Sequence, residues 1–200
     1  MNFENALFLY LIIIFSAIVH EYAHGWTAYK LGDPTAKFAG RLTLNPLAHI
    51  DLVGTVLMPL ILMSFTGIFF GYAKPVPFNP YNLKTRYGPS LVALAGPLSN
   101  FLIALVFGLS LRLMPFNSLI LLFPLIVMVN IWLALFNLLP FPPLDGSKII
   151  ALILPYKLQR QTLFLETFSF SGIFLALILA WFVIPRLAPL LYQLIVGAPL

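Results

Sequence analysis

Residues 5 to 30 form an apolar run long enough to cross a lipid bilayer as a helix, and the pattern recurs over 89–112, 118–139 and 168–190. A hydrocarbon core of about 30 Å needs roughly 20 apolar residues in helical form. At 61% hydrophobic and 8% charged, the chain is far from the balance of a soluble domain. An all-α polytopic membrane protein is expected, with residues 1–200 as a single integral-membrane domain. The first run does not read as a cleaved signal peptide. It lacks a basic leading region and a small-residue cleavage site, and it continues into a polar cluster. There is no cysteine, so disulfides and thiolate metal ligands are excluded.

Between the runs the chain changes character. Residues 33–51 are a polar connection carrying Lys37, Arg41, His49 and Asp51, and 71–88 are rich in proline and asparagine. A proline-dense hinge, LLPFPPLDG, precedes a short apolar helix over 146–154, and the last span holds Pro185 and Pro189 near its end. No internal repeat or low-complexity tract is present. The net charge of +5 comes from basic residues scattered singly between apolar runs, which fits juxtamembrane cations and not a nucleic-acid partner. Lys30, Lys37 and Arg41 follow the first span. Lys74, Lys84 and Arg86 lie in the second loop, and Lys148, Lys157 and Arg160 follow the hinge. For all three loops to be cytoplasmic, segment 52–70 must re-enter on the side it came from. Its breaks at Gly54, Pro59, Ser64 and Gly67 suit such a segment where protein packs around it. Hydropathy alone favours a plain spanning helix.

Inside the first span lies AIVHEYAHGW, which holds two of the chain's three histidines and one of its six acids. Titratable groups are costly at bilayer depth and mark functional sites. His20-Glu21-Tyr22-Ala23-His24 has the form H-E-x-x-H. On a helix, positions i and i+4 share a face about 6 Å apart, so both imidazoles can bind one zinc ion. The glutamate beside the first histidine can reach a zinc-bound water as general base. Zinc brings the pKa of that water to about 7. A transporter's ion or proton site would use the same residues, and chance matches occur in soluble helices.

Catalytic zinc takes three protein ligands and keeps one open position. The remaining candidates are His49, Asp33, Asp51, Asp145, Glu4 and Glu166. Asp145 follows a complete span and sits beside a glycine, although a helix N-cap for 146–154 is an equal use for it. His49 is the runner-up. His20 and Asp145 can meet only if an even number of crossings separates the helix ends that carry them. Spans 89–112 and 118–139 supply two crossings if 52–70 re-enters.

The sequence resembles the site-2 protease family, the intramembrane zinc metalloproteases of peptidase family M50. The resemblance rests on His20-Glu21-x-x-His24 and on Asn137-x-x-Pro140-x-Pro142-x-Leu144-Asp145-Gly146, with further similar stretches at 40–55, 72–80 and 95–100. It implies that His20, His24 and Asp145 bind one Zn2+ per chain and that Glu21 is the catalytic base. It also implies a three-helix catalytic core (about 5–30, 89–112 and 118–139) with its site reached from the cytosolic side of the cell membrane. Asn137 matches the motif asparagine, which orients substrate or stabilises an oxyanion, though an interhelical hydrogen bond is an alternative use. Asn100 is expected to make such an interhelical bond, and His49 to support the site. No PDZ-like or CBS-like domain is evident, so a compact prokaryotic member is expected.

The implied reaction is hydrolysis of a peptide bond in or near a substrate's transmembrane segment, with the lipid bilayer and a membrane protein or peptide as partners. The alternative from another class is a polytopic metal or proton transporter, and a third is an idle scaffold. Residues 71–88 could pair with an unwound substrate as an added strand, although packing explains their prolines equally well.

Overall fold

The computed structural model describes residues 3–66, 74–113, 122–150 and 169–198, and every described element is helical. The chain divides into two compact units, Met1–Lys84 and Thr85–Leu200.

The first unit is built on α1 (Phe3–Lys30), a 28-residue helix with Lys30 in its last turn, where a cation faces the negative end of the helix dipole. The helix stops at Gly32, whose φ of 108° suits glycine and few other residues. Buried Asp33 then ties the connection together. Its Oδ1 accepts from the backbone N–H of Thr35, the Thr35 hydroxyl and Asn82 Nδ2, while Oδ2 accepts from the Asn79 N–H at 2.6 Å. A one-turn helix α2 (Thr35–Phe38) follows, and then a 3₁₀ turn at Pro46–Ala48 started by the side chain of Asn45. Asp51 caps the next helical segment by accepting from the N–H groups of Val53 and Gly54.

That segment begins as a π-helical turn, Leu52–Leu57, and continues as α3 (Met58–Thr66). From 52 to 66 it rises about 22 Å at 1.5 Å per residue, less than the hydrocarbon thickness. Residues 67–70 of the expected re-entrant segment lie outside the described residues.

The second unit packs α4 (Gly88–Leu113), α5 (Phe123–Asn137), α6 (Asp145–Ile150) and α7 (Ser169–Val196). Its apolar centre gathers Ala104 of α4, Val127 and Ile131 of α5, and Ile184, Ala188 and Tyr192 of α7. Small residues let the helices close up. A Cβ on Gly108 would stand 2.4 Å from Ile195 Cγ2, and one on Gly172 would stand 2.0 Å from the carbonyl oxygen of Pro142. The Ser90 hydroxyl ties α4 to α6 through the Lys148 carbonyl at 2.6 Å.

Among the described residues, three helical stretches are long and apolar enough to span a membrane: Ala6–Lys30, Gly88–Leu113 and Gly172–Val196. The chain is a multi-pass membrane protein. Two expectations are refined. The helix expected over 118–139 is described as a 15-residue helix starting at Phe123, with residues 118–121 outside the described set. The last helix continues through Pro185 and Pro189 to Val196 where an end near 190 was expected. Each proline removes one backbone donor, which a helix held by lipid and neighbours tolerates. Of the short helix expected over 146–154, residues 145–150 are described.

Candidate metal centre

α1 carries His20 and His24 one turn apart, with ring centroids 4.6 Å apart and planes at 88°. His20 is buried and His24 half-buried. The expected i, i+4 pairing is present.

Glu21 between them is not loose. Its Oε2 accepts the backbone N–H of Val76 at 2.7 Å. Val76 belongs to a stretch without regular structure, Lys74–Asn79, that passes over α1. Gly25, one turn after Glu21, makes this approach feasible: a Cβ there would lie 2.9 Å from Val76 Cγ1 and 3.3 Å from the Ala36 Cβ. The stretch is held on both sides of Val76. Before it, the Lys74 N–H donates to the His49 carbonyl at 3.0 Å. Arg41 Nη2 donates to the Lys74 carbonyl at 2.8 Å, and Nη1 donates to the Ala48 carbonyl. After it, Asn79 is fixed by Asp33.

Asp145 is the first residue of α6, set there by a turn that leaves α5 at Asn137. The Leu138 N–H returns to the Ala134 carbonyl, the Leu139 N–H to Phe136, and the Leu144 N–H to Phe141. Gly146 fits beneath this turn because it has no side chain: a Cβ would stand 2.2 Å from the Leu138 oxygen and 2.4 Å from that of Leu139.

Among the described residues one group has the make-up of a metal site. It consists of the imidazoles of His20 and His24 and the carboxylate of Asp145. The donor chemistry fits zinc, since two imidazoles and a carboxylate are three protein ligands that leave one position for water or substrate. Asp33 is occupied by its own hydrogen bonds, and Asp51 is a helix cap. His49 is buried and stands outside the group, with Nε2 on the Thr43 carbonyl at 2.8 Å and Nδ1 without a partner. Asn137 is half-buried on the last turn of α5, and its Nδ2 donates to the Leu133 carbonyl of the same helix.

Sequence reasoning gave no site role to Val76 or Arg41 and weighed Asp33 only as a metal ligand, because their contributions run through backbone groups. The glycine directly after H-E-x-x-H was the one legible sign of a close neighbour.

A helical membrane protein with a two-histidine, one-carboxylate donor group and a glutamate in the first turn between the histidines has the parts of a membrane metalloprotease. The chain belongs to Peptidase family M50, whose family model matches residues 8–116 and 113–180. It is similar to the candidate zinc metalloprotease YwhC of Bacillus subtilis, with 38% identity over 174 residues, covering 82% of this chain and 76% of that protein. It is also similar to the candidate zinc metalloprotease Rip2 of Mycolicibacterium smegmatis, 30% identical over 139 residues, covering 66% of this chain and 52% of the relative. A third relative is the candidate zinc metalloprotease MJ0611 of Methanocaldococcus jannaschii, 35% identical over 95 residues, covering 46% of this chain and 50% of that protein. The chain thus spans about half the length of the last two. No solved structure gives a significant match. The resemblance read from the two motifs is borne out: this is a zinc metalloprotease family of the membrane. The transporter reading finds no support.

Proposed function

We propose that residues 1–200 work as one peptidase domain that hydrolyses peptide bonds in or near transmembrane segments of membrane-protein substrates. The observation that carries this is the donor group of His20, His24 and Asp145 with Glu21 beside the first histidine. His20, His24 and Asp145 would hold the ion. Zinc bound there supplies Lewis-acid polarisation of a carbonyl and a water of lowered pKa. Glu21 takes the proton of the attacking water and returns it to the leaving amine. Asn137 has a second amide hydrogen beyond the one given to Leu133, and orienting the substrate backbone is its proposed part.

A transmembrane helix hides its amides in internal hydrogen bonds, so the substrate unwinds locally before it is cut. The lysines and arginines of the loops support a plasma-membrane protein whose site opens on the cytoplasmic side, with 52–70 re-entering on that side.

The test is co-expression with tagged single-span proteins, followed by zinc analysis of the purified enzyme. Glu21→Gln is expected to keep its zinc and lose cleavage. Continued cleavage by that variant would sink the assignment. A reporter fused after Arg86 is expected to read cytoplasmic, and a periplasmic reading would break the topology.

A further inference from the structure

A general base on a flexible side chain works only if its carboxylate is held where the water will be, and in the first unit one backbone amide does the holding. The N–H of Val76 meets Glu21 Oε2 at 2.7 Å, a charge-assisted hydrogen bond of the stronger kind. The chain around Val76 is unusually constrained. Pro75 and Pro77 fix φ on either side. Arg41 grips the Lys74 carbonyl at 2.8 Å, reaches that of Pro75 at 3.4 Å, and is itself anchored on Ala48. The His49 carbonyl takes the Lys74 N–H, and Asp33 takes the Asn79 N–H. The result is a strap pinned at both ends that offers a single inward amide to the glutamate.

Building on the protease reading above, we infer that Arg41 and Asp33 are positioning residues for the Glu21 base, acting through the backbone amide of Val76. Plain loop packing would account for Val76 lying on Gly25 but has no need of the amide, so the two roles separate experimentally. Val76→Ala keeps the N–H and trims the packing. Val76→Pro removes the N–H while keeping the extended conformation that its proline neighbours already impose.

The experiment measures cleavage of a tagged single-span protein by the full-length, zinc-loaded enzyme in detergent. Val76→Ala is expected to turn over within about threefold of the parent. Val76→Pro is expected to lose roughly 10- to 100-fold in kcat, with KM and zinc content unchanged. Equal kcat for the two variants overturns the inference. If Val76→Pro fails to fold or to hold zinc, Arg41→Ala decides. Its kcat is expected to fall about tenfold and to recover on adding guanidinium but not ammonium, because the fork of donors is what holds the strap. A folded, zinc-loaded Arg41→Ala with full activity, or one that guanidinium leaves unchanged, overturns the inference. Glu21→Gln runs alongside: cleavage by that variant overturns the protease reading, whereas its inactivity with full activity of Val76→Pro overturns this inference alone.

Discussion

Asn100 of α4 donates its side-chain amide to Asn130 Oδ1 of α5 at 2.9 Å, with both residues at 0% exposure. Asn130 in turn donates to the Ile126 carbonyl one turn back on its own helix. Two apolar helices in lipid gain little from the hydrophobic effect, so a buried amide pair helps to fix their register.

Asn100→Leu therefore leaves the Asn130 oxygen without this donor in an apolar interior. A loss of about 1–2 kcal/mol is expected, read as a lower thermal midpoint in detergent. The double variant Asn100→Leu, Asn130→Leu should regain part of it, since the Asn130 oxygen that lost its donor is then gone as well.

Asp145→Asn exchanges an anionic ligand for a neutral amide. Zinc per chain is expected to fall well below stoichiometric, measured by elemental analysis after dialysis, with the helical circular-dichroism signal unchanged. Full zinc retention would exclude Asp145 as a ligand and return attention to His49.

Gly146→Ala is expected to be far worse than its size implies. The added carbon meets the backbone oxygens of Leu138 and Leu139, which cannot rotate away as a side chain would. Overpacking of this kind costs about 1–3 kcal/mol or more, and the turn that sets Asp145 shifts with it. Ser147→Ala serves as the control. It removes only the Ser147 hydroxyl's bond to the Leu144 carbonyl, for about 1 kcal/mol. Thermal midpoint and zinc content should both fall for Gly146→Ala, and neither by much for Ser147→Ala.

Acid should loosen the 74–82 stretch. Burial pushes the Asp33 carboxyl up, but hydrogen bonds from Thr35, Asn82 and Asn79 outweigh it, leaving the group below its ordinary value. A carboxylate with a depressed pKa in the folded state contributes stability above its unfolded pKa, and that contribution disappears as pH falls through the folded one. Pepsin should accordingly leave residues 74–82 intact just below the ordinary aspartate range and cut them as the pH is lowered further. Asp33→Asn should be cut across the whole range.

Much of this molecule was written in its sequence in forms that local rules can read. Apolar runs gave the long helices to within a few residues, because a bilayer imposes their length. As candidate ligands, His20 and His24 stood out by their i, i+4 spacing and Asp145 by its place after the proline hinge. What stayed hidden was of another kind. The bond from Val76 to Glu21 joins residues 55 positions apart through a backbone amide, and every residue except proline has one. His49 looked like a ligand by type, yet its Nε2 is taken up by the Thr43 carbonyl, a contact only the folded loop creates. Pro185 and Pro189 suggested a helix end by rules drawn from water-soluble helices, whereas a membrane helix runs on through proline where neighbouring groups take up the freed carbonyls.

The Lys74–Asn79 strap also bears on self-association. Its Lys74, Val76 and Asn79 amides all point to acceptors within the unit, and Pro75 and Pro77 have none to give. Strand pairing needs donors and acceptors in alternation, and here the Lys74, Pro75 and Asn79 carbonyls are engaged as well, by Arg41 and the Asn82 N–H, which also weighs against an unwound substrate joining it as a further strand. Extended backbone of this kind usually invites edge-to-edge aggregation, and here proline and inward bonding blunt it. The same constraints that steady a glutamate keep one copy of the protein from zipping onto the next.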